Sequence, residues 1–177
     1  DTITIAAEAA DALRRSLRGP VCLPGDPGYE EARSLWNAMI DRRPAMIVRA
    51  MGAADVIRTV RFAAGQNALL AVRGGGHNIA GNAVCDGGLM LDLSLMKSVQ
   101  VDPSAKRVRV EPGATLGDLD KETTAFGYVV PTGVNSTTGV AGLTLGGGFG
   151  WTTRKFGMTV DSLLGADLVT ADGTLLR

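Results

Sequence analysis

The spacing of apolar and polar residues predicts helices that alternate with short strands in the first half of the chain. Helical spacing predicts two longer helices and one short one, over residues 6–18, 53–66 and 27–36. Compact apolar runs predict three strands, at residues 21–23, 45–48 and 69–72. The helix over 53–66 joins two of these strands, and a crossover of that length allows the strands to pair in parallel, as in a βαβ unit.

The pattern changes near residue 87. An apolar run predicts a strand over 88–93, and alternation with period two predicts a hairpin from 99–101 and 107–110. A helix over 116–126 is expected to begin after Thr115 and to end at Gly127. A last strand is predicted over 163–170, before a turn at Asp172-Gly173, and the segment 174–177 is expected to be too short for a normal pairing. These elements predict an α+β fold with an α/β-like first subdomain, 1–87, and a second subdomain, 88–177, that is incomplete at its C-terminus.

One glycine-rich loop follows the strand over 69–72. Residues 74–76 are three glycines, and the next residue, His77, is the only histidine of the protein. Glycine tolerates positive φ, and successive exposed N–H groups form a concave nest that suits phosphate oxygens. A tight turn with a satisfied histidine is the alternative for this loop taken alone. If the glycines serve only a ligand, valine at Gly75 or Gly76 should abolish ligand binding with little loss of stability.

A second glycine-rich region covers residues 131–151. It is too long for one turn, and its hydroxyl-bearing and small residues suit a long, flat ligand. A small-residue helix packed on the sheet is the alternative for Gly146, Gly147 and Gly148. Neither glycine run opens a clearly amphipathic helix, so the usual dinucleotide fingerprint is absent, and no Gly-Lys-Ser/Thr sequence marks a Walker loop. A dinucleotide bound in another way remains.

Composition narrows the classes of partner. The chain has 24 glycines in 177 residues, and its 18 basic and 18 acidic residues balance. The charges are interspersed, which argues against a nucleic-acid arm or a membrane-binding patch. Cys22 and Cys85 have no metal-ligand spacing, so no metal is predicted; both are expected to be buried reduced thiols, although the sequence leaves a disulfide open. The chain begins at Asp1 without a methionine, so we expect the native start to lie upstream, and a cytoplasmic location is favoured.

Five ordered motifs carry a family resemblance: RGGGHNIAG, GLMLDLS, VEPGATLGDL, PTGVNSTTGVAGLTLGGGFGW and LVTADG. From about Pro44 onward the chain resembles the berberine-bridge-enzyme-like branch of the vanillyl-alcohol oxidase/p-cresol methylhydroxylase flavoproteins. The resemblance implies a p-cresol-methylhydroxylase-type FAD-binding fold, with the pyrophosphate on the first loop and a covalent bond from His77 to the flavin 8α-methyl. The residues that it implies as FAD contacts are Arg73, Gly74, Gly75, Gly76, His77, Asn78, Gly81, Pro131, Thr132, Gly133, Thr137, Thr138, Gly139, Gly142, Gly146, Gly147 and Val169.

Three positions depart from the family pattern. Asn135 aligns with a cysteine that forms a second covalent link in many members, so we expect a single bond, to His77. Leu143 replaces a common histidine, and Thr138 replaces an often apolar residue near the reacting flavin carbon, which bears on reactivity with oxygen. Next to the loop, Arg73 would lower the pKa of His77 if it lay close, or it is a charge at a strand end.

The resemblance implies the FAD-binding portion of a flavin-dependent oxidoreductase. Such an enzyme oxidises a small alcohol, sugar or hydroxylated ring by hydride transfer to flavin N5 and passes the electrons to oxygen or another acceptor. The family takes its substrate pocket and catalytic base from a later domain, so no catalytic residue is assigned here. We expect the chain alone to expose a sheet edge and an apolar face, to self-associate, to bind FAD poorly and to be inactive. The alternative is a flavin- or nucleotide-binding module without chemistry of its own.

Overall fold

A four-stranded sheet organises the first half of the chain. The computed structural model describes residues 5–177; the first four residues of the predicted first subdomain lie outside the described part. The elements of this half are α1 (Ala7–Ser16), β1 (Val21–Cys22), α2 (Tyr29–Arg33), β2 (Met46–Arg49), α3 (Ala53–Gly65), β3 (Leu70–Arg73) and β4 (Leu89–Asp92). Every strand predicted here is present, within two residues of its expected bounds.

The order of strands in this sheet is β1-β2-β4-β3. β4 pairs in parallel with both β2 and β3, and β1 pairs with β2 in the antiparallel sense. The predicted strand–helix–strand unit exists, but β2 and β3 do not pair with each other because β4 lies between them. The predicted boundary after residue 87 therefore has to move: β4, assigned by the sequence to the second subdomain, is an inner strand of the first sheet.

Both faces of the sheet are covered, which explains why β2 and β4 are apolar without alternation. On one face, Met46 and Leu91 pack with α1 and α3; on the other, Ile47 and Met90 pack with Tyr29 of α2.

Asp55 connects the start of α3 to the segment before β1. Its carboxylate accepts the backbone N–H groups of Arg18, Gly19 and Met51.

The second half begins with a hairpin and a capped helix. Its elements are β5 (Val99–Asp102), β6 (Arg107–Val110), α4 (Leu116–Thr124), α5 (Val140–Leu145), α6 (Thr153–Phe156), a 3-10 turn (Thr159–Ser162), β7 (Leu168–Val169) and β8 (Leu175–Leu176). The predicted hairpin is confirmed, with Val99 opposite Val110. The predicted cap of α4 is also confirmed, since Thr115 and Asp118 form a reciprocal capping box. Gly127, with φ of 73°, follows the end of the helix.

Three predictions differ from the structure. The strand predicted over 163–170 is only Leu168–Val169, because the residues before it find no partner strand among the described residues, and Leu164 is largely exposed. The segment after Asp172-Gly173 does pair, although briefly, as β8 antiparallel to β7. The short helix predicted over 27–36 begins at Tyr29, because Gly28 adopts left-handed φ of 84° and Asp26 instead accepts the N–H of Leu23.

Cysteine burial and surface character complete the fold. Cys85 is buried and Cys22 half-buried, and both are free thiols, so the expectation of two buried thiols is confirmed for Cys85 alone. Burial raises the pKa of the Cys85 thiol.

Large apolar side chains are exposed in the last third of the chain, among them Phe149 and Trp151. Within residues 5–177 there is no helix with the length and apolar character needed to cross a membrane.

Candidate cofactor site

The first glycine-rich loop connects two neighbouring parallel strands. It leaves the carboxyl end of β3 and returns to the start of β4, and two of its glycines, Gly76 and Gly81, have φ of 73° and 75°. The backbone N–H groups of residues 74–80 donate to no acceptor within residues 5–177. Residues 78–80 are exposed, and N–H groups without an internal acceptor are available to an anionic ligand as they are to water.

The two glycine-rich regions meet backbone to backbone at Gly75 and Gly139. A Cβ on Gly75 would lie 2.6 Å from the Cα of Gly139, and a Cβ on Gly139 would lie 2.5 Å from the N of Gly75. The start of α4 holds the second region in place, since Leu116 N–H donates to Thr138 O at 2.8 Å and Val140 N–H donates to Ala114 O at 2.9 Å. The absence of side chains thus allows the contact that forms the site.

His77 lies at the junction of these regions. Its Nε2 is 2.9 Å from Oγ1 of Thr137, and that hydroxyl donates its own proton to Oδ1 of Asn135 at 2.9 Å. Asn135 Oδ1 also accepts the N–H of Thr137, which fixes the orientation of the amide. Since the hydroxyl has only one proton to donate, it accepts from His77, so Nε2 carries the hydrogen. In the neutral imidazole, Nδ1 is then the nitrogen that carries the in-plane lone pair.

Burial of the ring favours the neutral form of His77. Burial lowers the pKa of the imidazole, and the backbone of Thr137 opposes that shift as a hydrogen-bond partner. The sequence suggested that Arg73 either lowers the pKa of His77 or is a charge at the end of a strand, and the structure supports neither role. Its Nη1 donates to Ala32 O at 2.8 Å and its side chain is only 20% exposed, so it is not a surface charge, and it is not among the causes of the His77 shift.

Most of the predicted contact residues lie in or beside the two glycine-rich regions. Gly74, Gly75, Gly76, His77, Thr137, Thr138 and Gly139 line the junction of the two glycine-rich regions. Pro131 and Thr132 are buried and Gly133 packs on Leu143, beside the second region. Asn78 accepts the N–H of Asn82, and Gly81 packs on Ile40, so both shape the far side of the first loop.

The remaining predicted contacts lie further along the chain. Gly142 and Gly146 are exposed on and after α5, and no side chain or distant backbone lies near Gly142. Gly147 has φ of 102°, and Val169 pairs with Leu175 in the terminal hairpin. Sequence reasoning missed Trp36, whose indole stacks on the His77 imidazole with ring centroids 5.0 Å apart and planes 21° from parallel. Its position at the end of a predicted helix gave no signal of this contact.

These features fit FAD. The free N–H groups of residues 74–80 suit a pyrophosphate, and the glycine contact at Gly75 and Gly139 opens the backbone to a close-lying ligand. The Nε atom of Arg73, beside Gly76, has no hydrogen-bond partner among the described residues and lies 4.0 Å from Oδ1 of the buried Asp92, so Arg73 serves the sheet rather than the ligand. A fold of this kind with such a site defines an FAD-binding domain of the p-cresol-methylhydroxylase type.

Comparison with known proteins gives the family. Residues 44–177 match the FAD binding domain family, so the chain belongs to that family. The (R)-6-hydroxynicotine oxidase of Paenarthrobacter nicotinovorans is 41% identical over 161 residues, which cover 91% of this chain and 35% of that protein. The crystal structure of 6-hydroxy-D-nicotine oxidase from Arthrobacter nicotinovorans matches with a TM-score of 0.91 at 39% identity and covers 98% of this chain and 37% of that one.

A plant structure belongs to the same group. The berberine-bridge-enzyme-like protein 1 of Physcomitrella patens matches with a TM-score of 0.89 at 31% identity, over 95% of this chain and 37% of that one. The resemblance to FAD-linked oxidoreductases of this branch is therefore confirmed, as are the fold class and FAD as the cofactor of the family. The chain spans a little over a third of the length of these relatives.

Proposed function

We propose that this chain is the cofactor-holding part of an FAD-dependent oxidoreductase and that His77 bonds covalently to the flavin. The observation that carries the proposal is the state of the imidazole. Its Nε2 is held by Thr137, its Nδ1 is free, and the pKa of the ring is lowered by burial, so a neutral nucleophile stands beside the N–H nest of the loop. Asn135 holds the position where a second link would need a thiol.

Each part of the site has a separate task. The N–H groups of residues 74–80 bind the pyrophosphate, and the region around Gly139 supports the ring system and its side chain. FAD supplies two-electron acceptance at its N5 atom. Nδ1 of His77 would be the atom that bonds to the 8α-carbon of FAD. A C–H bond at that carbon and the imidazole N–H would be the bonds that break, bound FAD would be the oxidant that takes up the two hydrogens, and dioxygen would accept them in turn. The protein's residues fix where this takes place.

We further propose a small organic substrate whose carbon loses a hydride, such as an alcohol, a sugar or a hydroxylated ring. The catalytic base is not among the tyrosines of this chain. The hydroxyl of Tyr29 donates to Pro44 O at 2.6 Å and is buried, and the hydroxyl of Tyr128 donates to Pro103 O at 3.1 Å. Both hydroxyls serve the fold, and oxygen or another acceptor takes the electrons afterwards.

Flavin fluorescence in a denaturing gel tests the covalent bond. The protein is incubated with excess FAD in air, denatured and separated; because a covalent bond accumulates, the gel detects it even when reversible binding is weak. The wild-type band should fluoresce and His77→Ala should not, while reversible FAD binding by the variant persists. Thr137→Val should slow attachment, because the ring loses the acceptor that fixes its tautomer. Thr124→Val is the matched control, since its exposed hydroxyl bonds only to carbonyls of its own helix. A fluorescent His77→Ala band would overturn the assignment.

A further inference from the structure

The segment 32–37 is hydrogen-bonded to the first glycine-rich loop at several points. Arg73 Nη1 donates to Ala32 O at 2.8 Å, Trp36 N–H donates to Gly76 O at 3.3 Å, and Asn37 Nδ2 donates to Ile79 O at 3.3 Å. Leu35 is buried beneath the loop. The loop therefore has a wall that precedes the stretch matched by the family, which begins at residue 44.

Trp36 is not a core residue of this wall. Its side chain is 62% exposed, yet its indole lies flat on the imidazole of His77. An exposed tryptophan whose aromatic neighbour is the single histidine points to a role on that ring. The chain's other tryptophan, Trp151, is 89% exposed and lies in the last third of the chain, so it offers an internal comparison.

Rotation of a histidine ring about its Cβ–Cγ bond is broad and nearly two-fold. A half turn exchanges Nδ1 with a carbon, which has no lone pair to offer. The hydrogen bond from Nε2 to Thr137 restrains one edge of the ring, but a single contact leaves the plane free to tilt. The indole face supplies the missing restraint, since offset-stacked rings prefer parallel planes.

We propose that Trp36 is a positioning residue for His77: its indole fixes the plane of the imidazole so that, with Nε2 held by Thr137, Nδ1 faces the flavin carbon with its lone pair. This inference rests on the covalent bond of the proposed function. Trp36 takes no part in the bond itself and acts only through the imidazole on which it stacks. By covering one face of the ring it also contributes to the burial that keeps His77 neutral.

The single histidine makes the orientation measurable without the cofactor. In protein labelled with ¹⁵N in histidine, the two ring nitrogens report the tautomer and the carbon-bound ring protons report the indole ring current. In Trp36→Ala the upfield shift of these protons should disappear, the two tautomers should mix, and the imidazole pKa should rise toward its ordinary value. Trp36→Phe should keep most of the wild-type signature, and Trp151→Ala should leave it unchanged.

The rate of flavin attachment gives the second measurement. With excess FAD, Trp36→Ala should attach flavin at least about tenfold more slowly than wild type, whereas Trp36→Phe recovers most of the rate and Trp151→Ala keeps it. Attachment by Trp36→Ala at the wild-type rate overturns the proposal, and so does an unchanged imidazole spectrum. If wild type itself attaches no flavin, the covalent bond of the proposed function is wrong, and the spectra alone then decide whether Trp36 orients the ring.

Discussion

Replacing Gly75 by alanine tests whether the contact between the two glycine-rich regions holds the fold together. Gly75 does not adopt a left-handed conformation, so an alanine there suffers no backbone strain and any penalty is steric. The added methyl would lie 2.6 Å from Gly139 Cα and 3.3 Å from the carbonyl carbon of Thr138. Carbon atoms in contact normally lie about 3.5–4.0 Å apart, so the two segments must separate by about 1 Å.

The size of the effect follows from how firmly both segments are held. Overpacking of this kind costs about 1–3 kcal/mol. The upper half of that range applies, because hydrogen bonds on both sides of Gly139 tie it to the start of α4. Reduced freedom of the unfolded chain returns about 0.4–1 kcal/mol on a change from glycine to alanine. The free energy of unfolding should therefore fall by about 2 kcal/mol, or about 4–8 °C in Tm for a chain of this length.

Urea unfolding and thermal melting of the cofactor-free protein measure this change. Gly65→Ala is the control, because nothing lies within 4 Å of its added methyl and the site is distant from the loop. Gly65 is the last residue of α3, so Gly65→Ala should leave the free energy of unfolding unchanged or slightly raised. The reasoning is refuted if Gly75→Ala unfolds like wild type. A variant of full stability that has lost FAD would instead support the expectation, stated from the sequence, that these glycines serve only the ligand.

Three further predictions concern charge and capping. The pKa of His77 is lower in the folded than in the unfolded chain. As the pH falls through the ordinary histidine value of about 6.5, the unfolded chain therefore binds a proton that the folded chain does not, and the free energy of unfolding should decrease. His77→Gln should remove this pH dependence in urea titrations. Burial opposes ionisation of Asp55, but three backbone N–H donors outweigh it and lower its pKa below 3.8. Asp55→Asn should cost about 2–3 kcal/mol at neutral pH, and wild type should lose stability in acid as the pH falls from the ordinary aspartate value through the lowered pKa. Thr115→Ala removes the hydroxyl that caps the N–H of Asp118 at the start of α4, while the Asp118 carboxylate still accepts the backbone N–H of residue 115. The change should cost about 1 kcal/mol by chemical denaturation, with Thr124→Ala as a reference.

Local patterns predicted the parts of the fold that local forces determine. The stripe of α3, the alternation of the β5–β6 hairpin and the Thr115 cap depend on residues within a turn or two of each other, so the sequence was sufficient for them. The insertion of β4 between β2 and β3 depends on pairing across long separations. The run over 163–170 was apolar enough for a strand, but a strand also needs a partner, which composition does not reveal.

The same distinction applies to the site. The glycine-rich loops and His77 were recognisable because glycine runs restrict what a backbone can do and because the motifs follow a family order. Gly75 was expected to accommodate a ligand, and the structure shows that it also accommodates the backbone of Gly139. The hydrogen bond from His77 to Thr137 and the stack on Trp36 join residues far apart in the chain, so no spacing rule could have shown them.

The inner position of β4 has a consequence for how the chain acquires its structure during synthesis. β2 and β3 emerge from the ribosome earlier, but among the described residues neither has a parallel partner until β4 follows. The separation is long, since Arg49 of β2 and Asp92 of β4, which form an ion pair, are 43 residues apart. Loop closure over such separations makes assembly slow. Since the first glycine-rich loop is the segment that links β3 to β4, it takes its shape in the same step that closes the sheet. Because β3 pairs only with β4 within the described sheet, a nascent chain that ends before β4 should show neither protected amides in β3 nor a folded loop.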